Sequence, residues 1–202
     1  MLFVNKKAVG HFKKVDPILY KLAIELRVEE GPINHHEDYF VELVDTVLSQ
    51  QLSGKAAATI FTRLTDLMPK KKITPENLIK LKDEEIRNAG ISYAKIKYIK
   101  GIAHEIISKN LDLKRFDEQS DQAIKEELVK LKGIGPWSAE MFLMFSLGRP
   151  DIFSTGDLGL KNAVKKLYGL KKDPTEQELL NISSRWSPFR TYASRILWRS
   201  LA

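Results

Sequence analysis

Apolar residues recur along this chain at the spacing of amphipathic helices, and no stretch alternates as a half-buried strand would. Phe40, Leu43, Val44, Val47 and Leu48 fall at i, i+3, i+4, i+7 and i+8, on one helical face. A second helical run after Ser53 carries Ile60, Leu64 and Leu67. The same reading predicts helices near 17–28, 76–81, 83–89, 93–108, 121–131, 136–147, 158–168, 175–184 and 188–201. The expected class is all-α. Lys70-Lys71-Lys72, flanked by prolines, reads as a solvated connector rather than a targeting signal, and no repeat or low-complexity linker interrupts the pattern.

Two breaks in the helical pattern carry chemistry. The first is Leu131-Lys132-Gly133-Ile134-Gly135-Pro136-Trp137-Ser138-Ala139. Ser120 is a good N-cap for the helix before it, which places Ile124, Leu128 and Leu131 on one face, and Gly133 stands where a helix-ending left-handed glycine belongs. Pro136 suits the first position of the next helix, where its missing N–H costs nothing, and that leaves Gly135 near the N-cap. Two glycines beside a helix N-terminus let a phosphate approach free N–H groups closely. Taken alone, Gly-x-Gly also fits an ordinary turn between packed helices.

The second break lies twenty residues beyond Trp137, where Ser154-Thr155-Gly156-Asp157 precedes an amphipathic run through Leu158, Leu160, Val164 and Leu167. Asp157 is placed to cap that helix, and most aspartates in such a place do only that. The helix dipole and backbone donors also hold such a carboxylate ionised, which makes it a poor proton acceptor and a good fixed negative charge.

Composition narrows the field. The 202 residues, 43% hydrophobic, suffice for one domain or two closely joined subdomains. A net charge of +7 and a pI near 9.4 favour a polyanionic partner. From Arg149 to Ala202 ten Lys or Arg oppose five Asp or Glu, so most of the excess lies in the quarter that carries Asp157. No apolar run is long enough to span a bilayer and no signal segment opens the chain, which points to a soluble, intracellular protein without a membrane partner. The absence of cysteine excludes disulfides, thiolate zinc sites and cysteine-bound iron–sulfur clusters. His11, His35, His36 and His104 show no metal-ligand spacing.

Leu131 to Ala139 and Asp151 to Leu160 resemble the helix-hairpin-helix and following aspartate of the helix-hairpin-helix (HhH-GPD) DNA glycosylases, in particular their 3-methyladenine DNA glycosylase II (AlkA/Mag-like) branch. Further blocks resemble that branch: His11 to Leu22 with Asp16-Pro17, and Phe40 to Leu64 with Leu48-Ser49-Gln50-Gln51-Leu52-Ser53. So do Ala89-Gly90-Ile91-Ser92 with Lys95, and Trp186-Ser187-Pro188-Phe189-Arg190 to Trp198-Arg199. Nearly the whole chain is covered. The resemblance implies two helical subdomains with a central cleft. Residues 36–147 form one, with the helix-hairpin-helix near 121–147; residues 1–35 join 148–202, which carry the catalytic Asp, in the other.

It also implies a monomeric enzyme acting on alkylated bases (3-methyladenine and 7-methylguanine type) in double-stranded DNA, in the nucleoid or the nucleus according to its host. Such an enzyme extrudes the target nucleotide, and the vacated stack must be filled. Gln51 and Leu52 are the candidates for that plug, although spacing alone reads Gln50 and Gln51 as polar loop residues and Leu52 as packed inward. A cationic alkylated base suits an aromatic pocket, for which Trp137, Met141 and Trp186 are the candidates, while Gly133, Gly135 and Ser138 are expected to hold a phosphate. Where lyase-active relatives carry a nucleophilic lysine, this chain has Trp137, so water is the expected nucleophile and an intact abasic strand the product. Asp157 would stabilise the oxocarbenium-like sugar, and activation of water by it is the alternative. Main-chain carbonyls of Val129, Leu131 and Ile134 are the expected ligands of a structural Na+ or K+; nothing else implies a cofactor. Two other functions remain open on these residues: a non-catalytic helical DNA-binding module, and a glycosylase for deaminated or oxidised bases.

Overall fold

The computed structural model describes residues 3–4, 6–27, 29–30 and 38–201; His35 and His36 lie outside them. Twelve α-helices follow one another among these residues: α1 (Lys6–Val15), α2 (Pro17–Glu25), α3 (Tyr39–Ser49), α4 (Gly54–Asp66), α5 (Pro75–Lys80), α6 (Asp83–Asn88), α7 (Tyr93–Ile107), α8 (Asp121–Leu128), α9 (Pro136–Phe145), α10 (Leu158–Leu167), α11 (Glu176–Ser184) and α12 (Arg190–Arg199). The extended structure among the described residues is a two-residue parallel pairing of Phe3–Val4 with Glu29–Glu30. The class is all-α.

Helix starts follow local chemistry closely. Side chains of Asp16, Asp38, Ser53, Thr74, Ser92, Ser120, Asp157 and Thr175 each accept an N–H from the first turn of the helix they precede. One helix lay beyond the sequence pattern. The apolar spacing predicts a helix from residue 17 and the resemblance a single N-terminal helix over His11 to Leu22; the structure has two, α1 and α2, and Asp16-Pro17 ends α1 and starts α2 because Pro17 cannot continue the first helix but suits the first turn of the second.

The chain divides into two compact units, residues 1–35 with 143–202 and residues 36–142. The division falls within α9 rather than after residue 147. In the central unit α7 packs against α3, α5 and α6, and Ile96, Ile99 and Ile102 on its inner face are buried. α3 meets it with Leu43, Val44, Val47 and Leu48, as the i, i+3, i+4 pattern demands. Each such side chain contributes about 2 kcal/mol of transfer free energy.

The other unit is built on a core that includes Phe12, Leu19, Phe153, Leu160, Trp186 and Ile196. At its centre is a buried carboxylate. Asp16 accepts the Leu19 N–H at 3.1 Å, the Trp186 indole N–H at 2.9 Å and the Tyr168 hydroxyl, with the Arg185 guanidinium at 3.4 Å. Burial, together with the bond to Asp16 and its charge, pushes the Tyr168 phenol well above its ordinary range, so it stays a proton donor to Asp16.

A second polar knot fastens the loop that leads to Asp157. Arg190 at the start of α12 grips Asp151 with Nε at 2.8 Å from Oδ1 and Nη2 at 2.9 Å from Oδ2, and Ser187 Oγ donates to Oδ2 at 2.8 Å. Partial burial works against the Asp151 anion, but these bonds outweigh it and hold the carboxyl below its ordinary value. Thr191 adds further bonds, among them its N–H to Pro150 O at 2.9 Å, its hydroxyl to Arg149 O at 2.6 Å, and acceptance of the Ile152 N–H at 3.0 Å.

Candidate functional site

The residues singled out in the sequence lie in both units, and each group is built by its own unit. In the central unit α8 stops at Leu128, three residues earlier than its apolar pattern suggested, and a run of short-range turns follows. Leu131 N–H reaches Leu128 O at 3.0 Å and Ile134 N–H reaches Leu131 O at 3.1 Å. Gly133 does have a left-handed backbone, φ +93°, but it sits inside this turn, five residues beyond the helix, rather than capping it. The tertiary reason is Tyr98 on α7: a Cβ on Gly133 would lie 2.5 Å from Tyr98 Cδ2 and 2.6 Å from Cγ. Ile134 anchors the turn in the core, and Lys125 of α8 pairs with Glu140 of α9.

Gly135 differs in kind. It is exposed, its carbonyl accepts the Ala139 N–H at 3.0 Å as an N-cap should, and nothing lies within 4 Å of where its Cβ would be. Open space in front of a helix N-terminus is what an anion needs. Trp137 is 45% exposed in the first turn of α9, and Met141 one turn on is half-buried. Ser138 was expected to help hold a phosphate; instead its side chain is buried and its hydroxyl lies 3.3 Å from Gln50 Nε2. The hydroxyl therefore serves the protein's own bonding.

The turn between α3 and α4 is also part of the central unit. Gln51 has φ +57°, a left-handed conformation that costs a non-glycine residue about 1–2 kcal/mol. Its side chain is exposed, and Leu52 points outward at 39% exposure rather than packing inward. Two residues that sequence reasoning assigned no role hold this turn. Lys95 Nζ donates to Leu48 O and to Gln50 O, both at 2.8 Å, at the end of α3 where a cation is favoured. Partial burial lowers the Lys95 pKa from its ordinary value. Gln50 turns its amide away from the turn and donates to Gly133 O at 2.8 Å.

In the other unit Asp157 is the N-cap of α10. Its Oδ1 accepts the Leu160 N–H at 2.7 Å and the Trp198 indole N–H at 2.9 Å, and the residue is only 8% exposed. Gly159 makes room for this pair, since a Cβ there would lie 3.1 Å from both Asp157 Oδ1 and Trp198 Cδ1. Phe145 lies against the Trp198 ring, centroids 5.9 Å apart. Trp198, in the last turn of α12, is thus the aromatic residue of the C-terminal block that meets Asp157, and no local signal in the sequence sets it apart.

Trp186 must be reassigned. It was expected to line a base pocket, yet it has no exposed surface, meets Phe153 edge-on at 5.5 Å and satisfies its N–H on Asp16. An indole enclosed in that way is a core residue and offers no face to a ligand. Among the described residues, no group of three or more His, Cys, Asp or Glu is arranged to hold a metal ion, and no helix is long and apolar enough to cross a membrane.

Comparison with known proteins places these features in one context. Residues 44–188 match the model of the HhH-GPD superfamily of base excision DNA repair proteins. DNA-3-methyladenine glycosylase 1 of Schizosaccharomyces pombe is 38% identical over 163 residues, which are 80% of this chain and 72% of that protein. A putative DNA-3-methyladenine glycosylase of Bacillus subtilis, YfjP, is 32% identical over 79% of this chain, and the match spans 58% of its own length. In three dimensions the Schizosaccharomyces pombe 3-methyladenine DNA glycosylase Mag1, solved in complex with abasic DNA, is similar with a TM-score of 0.85 and 33% identity over 96% of both chains.

Proposed function

Because the chain belongs to the HhH-GPD superfamily of base excision DNA repair proteins, we propose that it is a monofunctional DNA glycosylase, releasing alkylated bases of the 3-methyladenine and 7-methylguanine type from double-stranded DNA by hydrolysis of the N-glycosidic bond. The observation that carries this reading is the Asp157 carboxylate, held on Oδ1 by a helix N-terminus and by the Trp198 indole. Loss of a cationic base leaves positive charge on the sugar, and a carboxylate immobilised by two donors can oppose that charge without reorganising. The same donors fix the direction of its Oδ1, and a carboxylate held in place in this way suits electrostatic stabilisation of the sugar.

The remaining residues take roles that suit their geometry. Trp137, with Met141 on the same side of α9, offers an aromatic and polarisable wall to a cationic base. Gly135 offers its N–H, and the start of α9, to a phosphate. Gln51 and Leu52, exposed on a strained turn, enter the gap left by the extruded nucleotide. The carbonyls of Val129, Leu131 and Ile134 are hard donors suited to Na+ or K+; Leu131 O already accepts one N–H and retains a second lone pair, so such an ion fits and would stiffen the hairpin. The protein acts as a monomer on the chromosome of its host.

Incubation of the purified protein with methylated duplex DNA should release 3-methyladenine or 7-methylguanine, detectable by chromatography. The strand should stay uncut until alkali is added, and borohydride should trap no adduct, because Trp137 supplies no amine. Release of no alkylated base would overturn the reading, and a trapped adduct would overturn its monofunctional part.

Trp198→Phe isolates the indole N–H. The ring remains while Asp157 loses one donor, and a hydrogen bond to a charged group is worth about 1.5–3 kcal/mol, so single-turnover release should slow by about tenfold or more. Affinity for abasic-site duplex should not change. An unaltered rate would show that Trp198 does not position Asp157.

A further inference from the structure

Three side chains, Gln50 in the turn and Lys95 and Tyr98 on α7, link the Gln50-Gln51-Leu52 turn and the hairpin. Gln50 Nε2 crosses from the turn to Gly133 O at 2.8 Å and to Ser138 Oγ at 3.3 Å. Lys95 Nζ closes the end of α3 through Leu48 O and Gln50 O. One helical turn further along α7, the Tyr98 ring lies directly under Gly133. The turn and the hairpin are therefore tied both to each other and to one helix.

We propose that Gln50 and Lys95 are positioning residues for nucleotide extrusion, forming with α7 a bracket that sets the exposed Gln51-Leu52 wedge at a fixed spacing from the phosphate-holding hairpin. This rests on the glycosylase reading above. Extrusion needs the backbone gripped at one point while the stack is filled at another, and both points must keep register with the same duplex. A wedge on a free turn would lose that register. Here the first glutamine of the pair is spent inside the protein, and so the second is presented outside. The left-handed backbone of Gln51 fits this: the turn is restrained on both sides, which is how a locally unfavourable conformation persists. Gln50 and Gln51, alike in sequence, thus have opposite tasks, one anchoring and one protruding.

The test compares Gln50→Leu, which removes only the side-chain bridge, with Lys95→Met, which removes the carbonyl closure. Single-turnover release is measured on an alkylated base in a fully paired duplex and on the same base in an unpaired bulge, where extrusion is already done. Each variant should release the paired base about tenfold or more slowly than the wild type while staying within about threefold on the bulged base, since misplacement of a positioning group acts on the step it positions. Equal loss on both substrates would mean a purely structural role and would overturn the proposal, as would no loss on either. If Lys95→Met does not fold, Gln50→Leu carries the comparison alone.

A second readout does not depend on base release. A duplex bearing an abasic site with 2-aminopurine opposite the gap reports entry of a wedge through its fluorescence. The wild type should change that signal, and Gln50→Leu should bind the duplex with a much smaller change. A full change in the variant overturns the bracket. Wild-type protein that alters the fluorescence but releases no base would overturn the glycosylase reading and leave the bracket standing.

Discussion

Asp157→Asn should reduce base release by about a thousandfold while leaving the protein folded and able to bind abasic-site DNA. An asparagine oxygen can accept the Leu160 N–H and the Trp198 indole N–H as Oδ1 does now, so α10 keeps its cap and the side chain keeps its direction. What disappears is the negative charge that the proposed mechanism sets against the developing sugar cation. Asp157→Ala would mix that loss with the loss of a cap, worth about 1 kcal/mol. Single-turnover release, abasic-site affinity and thermal unfolding together separate the two. Release by the asparagine variant within a few-fold of wild type would remove Asp157 from the chemistry altogether.

How much of this site could be read from the sequence depended on whether a residue's task was local. Asp157 as a cap, Ser120 as a cap and Pro136 opening α9 all follow from a few adjacent residues, and the structure has each of them. The inner faces of α3 and α7 were likewise legible from spacing. Residues whose partners lie far along the chain were not. Trp186 and Trp198 stand twelve residues apart with similar neighbours, but one meets Asp16 in a sealed core and the other meets Asp157, and no local pattern distinguishes them. Gln50 read as a loop residue because its acceptor is Gly133, eighty-three positions away. The early end of α8 belongs to the same class, since tertiary packing of the following turn against α7 decides it rather than the apolar period.

The two hairpin glycines, equivalent in the motif, should respond oppositely to substitution. Gly133→Ala meets two penalties at once: a left-handed φ of +93°, and a Cβ within 2.6 Å of Tyr98 ring carbons that cannot move aside without shifting α7. With about 1–2 kcal/mol for the backbone and about 1–3 for overpacking, a loss near 3 kcal/mol is expected, read as a lower denaturation midpoint. DNA binding should fall with it, because the hairpin itself is displaced. Gly135→Leu has no such neighbours and a permitted backbone, so stability should fall by less than about 1 kcal/mol, the loss expected at an N-cap. The leucine would nevertheless stand in front of the α9 N-terminus and exclude a phosphate, weakening affinity for abasic-site duplex about tenfold or more, whatever the flanking sequence. Undiminished affinity in a folded Gly135→Leu protein would show that the backbone is gripped elsewhere, and the open space before α9 would then need another explanation.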